Sequence, residues 1–126
     1  MPTRILAALI GLFHSANGLA MVVASRAWFD AAPGAGETGA FNPHFVMDVG
    51  LAFLAGGIAF LAFAWRPSLK LAALGCSGFL ASHALLHLAS AAQGHVHNLA
   101  ADLLGVVLPA FAGLALAWPR AGDAHA

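Results

Sequence analysis

Four apolar stretches, each about as long as a bilayer is thick, constrain this chain more than any other feature. They are Ile5–Ala24, Phe45–Trp65, Leu69–Ala92 and Leu99–Trp118. A hydrocarbon core of about 30 Å takes about 20 helical residues to cross. Within it the backbone has no water to bond to, so each stretch is expected to be a helix. A membrane-spanning β-barrel needs alternating apolar and polar residues, and that alternation is missing. Composition points the same way. Charged residues make up 8% of the chain, hydrophobic ones 61%, and mean hydropathy is +0.86. Soluble domains carry about 25% charged residues, so this chain has too few to clothe a water-facing surface. The expected fold is all-α: one integral membrane domain, a four-helix bundle of two helical hairpins in a lipid bilayer.

The breaks between stretches agree. Trp65, Arg66, Pro67 and Ser68 form a short turn, because proline stops a helix and restricts the residue before it. Asn42-Pro43 reads as a helix cap followed by proline at the first helical position, and Asn98 can cap the last span. Phe29–Gly39, with Pro33, Gly34, Gly36 and Gly39, is the one substantial loop expected. Pro109 should bend the fourth span. The first stretch follows Arg4 as a signal peptide would. It is nevertheless longer than the usual apolar region of about 7–15 residues, and His14, Asn17 and Gly18 interrupt it. It is therefore taken as a helix of the mature protein.

Arg4, Arg66, Lys70 and Arg120 fall on one side of a four-span topology. The other side holds Arg26, offset by Asp30 and Glu37. The positive-inside rule then places both termini in the cytoplasm, in an inner membrane of bacterial type. Trp28 falls near the outer boundary and Trp65 and Trp118 near the inner one, as an aromatic belt requires. Zero formal net charge provides no basic surface for nucleic acid. Cys76 stands alone, which excludes an internal disulfide, and its apolar surroundings make it a packing residue.

A charged side chain at mid-span costs about 2.5–3.5 kcal/mol on insertion scales, so the polar residues inside the spans carry information. From a rise of 1.5 Å per residue, Asp48, His87 and Asp102 lie about 6–8 Å inside the outer ends of their helices. Asn17, His14 and His83 lie about 12–16 Å in. The inner half holds nothing comparable. His83 and His87 share one helix face at i and i+4, and His44 and Asp48 repeat that spacing. His14 lies between Gly11 and Gly18 on one side of the first span, and such small residues favour a close neighbouring helix. Each hairpin also pairs a helix carrying two polar groups with one that opens on His44–Asp48 or Asn98–Asp102, a pattern of parallel repeats.

These positions lead to a polar site on the extracytoplasmic side that binds a transition metal, zinc or iron. His83, His87, Asp48, Asp102, His14 and His44 are its candidate ligands, and Asn17, Asn42 and Asn98 are its surrounding network. If catalytic, such a centre would activate water or oxygen. Three alternatives stand beside it. His14 and His83, at similar depth, are candidate axial ligands of a haem b. The Asp–His pairs suit a proton-coupled transporter. In the third alternative the polar groups only hold helices together, in a homo-oligomer or an accessory subunit of a larger membrane complex. His95 and His97 read as turn residues and His125 as part of a polar tail. Zinc-protease, phosphate-loop and nucleophile-elbow motifs are absent from the sequence, and a lone cysteine excludes covalent haem attachment.

Overall fold

The computed structural model describes residues 1–95 and 98–120, so His97 and His125 lie outside the described residues. Every regular element in them is helical. Helix α1 spans Pro2–Val23, α2 Ser25–Ala31, α3 Pro43–Trp65, α4 Lys70–Ala92, α5 Leu99–Asp102 and α6 Leu108–Ala117. A π-turn at Leu103–Val107 joins α5 to α6 into one span, and a 3-10 turn at Pro67–Leu69 leads into α4. Four helices, Pro2–Val23, Pro43–Trp65, Pro67–Ala92 and Leu99–Ala117, are long and apolar enough to cross a membrane. Large apolar side chains such as Leu12, Leu51, Leu71 and Leu104 point outward from all four. Such a surface is adverse in water and natural in lipid.

The caps follow the expected chemistry. Asn42 accepts the Phe45 N–H at 3.2 Å, and Asn98 accepts the Ala101 N–H at 3.0 Å. Helix α4 ends in a left-handed Gly94 with φ +80°, where Gly94 and His95 N–H donate to the carbonyls of Ala91 and Ser90. Helix α2 is a departure from the expected loop, which it enters by three residues. Arg26 and Asp30 sit one turn apart on it at 2.8 Å, and Arg26 lies over the Phe41 ring. Accepting the Arg26 hydrogen bond, Asp30 holds that guanidinium above its ordinary pKa.

The bundle is uneven, and glycine is the reason. Gly11 and Gly18 on α1 meet Gly57 and Gly50 on α3, each pair seven residues apart and so on one helix face. A Cβ on Gly18 would come within 2.5 Å of the Gly50 carbonyl oxygen, so here the two backbones touch. The glycines of α4 (Gly75, Gly78) and Gly105 have nothing within 4 Å of a Cβ position. Phe60, fully buried, fills the bundle centre against Gly113, while α1 and α6 touch only sparingly. One hairpin is thus clamped, and the space opposite it stays wide. At the far end Arg4 donates to the carbonyls of Ala64 and Trp65 at 2.7 and 2.9 Å, closing the C-terminus of α3.

Candidate functional site

Where the helices spread, they enclose a cavity of about 1150 Å³. Its outer wall is α2 and the segment that follows it. Its sides come from α1, α3, α4 and the start of the fourth span. Phe13, Trp28, Phe29, Phe45 and Phe53 give it aromatic walls, and Glu37, His83, His87, His95 and Asp102 supply titratable groups.

One wall carries most of the polarity. The His87 Nδ1 lies 2.9 Å from the Asp102 Oδ1, with 32% and 22% of the two side chains exposed. In the tautomer whose Nδ1–H donates to the Asp102 carboxylate, Nε2 is the imidazole's second polar atom. His83 lies one turn deeper, its ring centroid 4.8 Å from that of His87. Phe79 stacks on His83 at 5.9 Å, so Phe79, His83 and His87 form one stripe of α4. That i, i+4, i+8 spacing is visible in the sequence, yet Phe79 carries no polar atom to draw notice. On the opposite wall the Trp28 indole donates to Asn17 Oδ1 at 2.9 Å and ties α2 to α1. Asn17 also donates to Met21 Sδ at 3.7 Å.

The expected residues divide into three groups. His83, His87 and Asp102 come together, and Asn17, Asn42 and Asn98 line the same cavity, the last two as helix caps. His44 and Asp48 do not join them. They pair with each other at 3.3 Å on an exposed face of α3, with 87% and 58% of their side chains exposed. Depth alone placed Asp48 beside Asp102, but helix rotation separates them. Counted from its asparagine cap, Asp102 is the fourth residue and Asp48 the sixth. Two residues turn a helix by about 200°. The fourth residue of α3 is Val46, and Val46 does line the cavity. The two hairpin openings therefore match at their asparagine caps and not at their carboxylates.

His14 forms the third group. It is 1% exposed, and neither ring nitrogen has a hydrogen-bond partner among the described residues. It stacks on Phe53 at 5.6 Å, and His83 meets the same phenyl ring at 5.2 Å. His95, expected in a solvent-facing turn, is exposed after the turn that ends α4 and also lines the cavity. Among the described residues no three His, Cys, Asp or Glu side chains gather as a metal-holding group. Comparisons with protein-family models, curated proteins and solved structures return no match.

Proposed function

We propose that the protein binds a small molecule whose polar end is a flat ring bearing hydroxyl or carbonyl oxygen, and exchanges a proton with it. The observation that carries this reading is the cavity itself, with aromatic side chains on several walls and the His87–Asp102 pair on one. Pockets of this kind bind through apolar area and are oriented by a few convergent polar groups. With Asp102 ionised and His87 neutral, Nε2 accepts a hydrogen bond from a ligand hydroxyl. Taking that proton breaks the ligand O–H bond and forms Nε2–H. The product is a ligand oxyanion beside an imidazolium that Asp102 stabilises. The protonated pair donates to a carbonyl oxygen in the reverse sense. The basic residues Arg4, Arg66, Lys70 and Arg120 at the opposite end support an orientation with the cavity on the extracytoplasmic side of an inner membrane.

Trp28 makes the test direct, because it lines the cavity while Trp65 and Trp118 stand at the other end. In a Trp65→Phe/Trp118→Phe protein, a tail-less dimethoxy-methyl-benzoquinone is expected to quench Trp28 saturably. His87→Leu removes the saturable part. Quenching that is linear in both proteins sinks the proposal.

A second reading is a zinc or iron centre on His83 and His87. It is favoured by the Asp102 contact at Nδ1, an arrangement that orients ligating histidines elsewhere. Elemental analysis and an absorption spectrum of the purified protein test it, and the spectrum tests a haem at His14 and His83 as well. Metal below stoichiometry, or metal undiminished in His83→Ala/His87→Ala, removes this reading.

A further inference from the structure

Beside the cavity, between α1 and α6, lies an apolar groove of about 370 Å³ that opens sideways from the bundle. Every side chain lining it is apolar, Leu9, Leu104, Leu108 and Ala112 among them. Two features connect it with the cavity. Phe13 borders both spaces and is 44% exposed. Within the π-turn, Leu104 lines the groove and its neighbour Gly105 lines the cavity. Phe13 and that turn therefore form part of the boundary between the lipid-facing space and the cavity that holds the His87–Asp102 pair. This is also the seam where the bundle is least closed, since α1 is clamped to α3 by backbone contact and only sparingly in touch with α6.

We infer that the ligand is a single-tailed lipid that reaches the cavity from the bilayer through the α1–α6 seam, with Phe13 as the gate and the groove holding its tail. The inference rests on the cavity being the site of a ring-bearing head. Its chemistry divides in the same way as the two spaces: polar groups face the head in the cavity, and the groove offers only apolar contact. Side-chain rotation on the ps–ns scale is enough to move a half-exposed phenyl ring, so the gate needs no movement of the clamped hairpin.

The test uses the full chain in phosphatidylcholine vesicles, with Trp28 as the sole tryptophan and two probes, a decyl-tailed benzoquinone and its tail-less analogue. Ala112→Phe fills the groove and leaves the cavity wall intact, and Leu9→Phe is a second variant should the first fail to fold. Either is expected to weaken the tailed probe at least about fivefold, the smaller end of what an overpacked site costs, with the tail-less probe unchanged. Phe13→Ala is expected to speed association of the tailed probe more than that of the tail-less one. If the tailed probe binds groove-filled protein as well as wild type, the route is wrong while the cavity reading stands. Equal weakening of both probes also overturns the route, because the substitution then acts through the cavity. If neither probe binds saturably even to wild type, the cavity reading fails and the route fails with it.

Discussion

The His87 Nδ1 and the Asp102 Oδ1 lie 2.9 Å apart and bridge α4 to the first turn of the fourth span. Each is the other's partner at that atom, so removing one leaves a polar group in an apolar setting. His87→Leu or Asp102→Leu is expected to cost about 1–3 kcal/mol, less than for fully buried pairs because the cavity partly solvates both groups. The double leucine variant is expected to lose less than the sum of the two. Unfolding of the four proteins in one detergent gives the coupling energy. Additive losses would mean that the contact contributes nothing to the fold.

His14 presents the opposite case. Among the described residues both its nitrogens are buried without a partner, so its polarity is a cost that no bond there offsets. His14→Phe, which keeps a flat ring stacked on Phe53, is expected to leave stability unchanged or raise it by about 1 kcal/mol. A lower melting temperature for this variant would show that His14 has a partner in the assembled protein.

The glycine contacts between α1 and α3 give a contrast within one chain. A methyl group at Gly18 meets backbone atoms of Gly50 and Leu54, which cannot rotate away. Gly18→Ala is expected to destabilise by about 1–3 kcal/mol, whereas Gly75→Ala, where the space is open, is expected to be neutral or slightly stabilising. Equal effects at the two positions would show that the hairpin is not clamped there.

The four spans were legible because length and hydropathy decide them almost alone. The meeting of His87 with Asp102 was legible too, from similar depths on two helices. Asp48 was not, because depth fixes height along a helix and says nothing about direction around it. Counting from Asn42 and Asn98 supplies that direction, and both caps are in the sequence. Helix α2 escaped notice because its seven residues are too few for a periodic pattern. The cavity depends on one pair of helices packing closely while another stays apart. Gly11 and Gly18 pointed to the first, but no local pattern reported the second.

The caps themselves are testable. Asn42→Ala and Asn98→Ala each remove the acceptor of one helix N–H and are expected to cost about 0.5–2 kcal/mol. Asn98→Ala is further expected to weaken binding at the cavity, because α5 is a single turn that carries Asp102. A ligand affinity unchanged by Asn98→Ala would mean that the cap does not position the carboxylate.

Pro109 links backbone geometry to the site. A proline ring in an α-helix clashes with the carbonyl four residues back, here that of Gly105. The chain widens at that place, and the Leu108 N–H donates to the Leu103 carbonyl five residues back. Such a turn holds one more residue than an α-helical turn, so it sets the direction in which the preceding residues face. Pro109→Ala removes the clash and restores a donor, and the turn is expected to relax toward regular α-helix. The segment before it then rotates by up to about 100°, carrying Asp102 away from His87. The expected result is a protein at least as stable as wild type, in which the His87–Asp102 coupling energy falls toward zero and the benzoquinone probe binds more weakly. If the coupling energy survives Pro109→Ala unchanged, the proline does not aim the carboxylate.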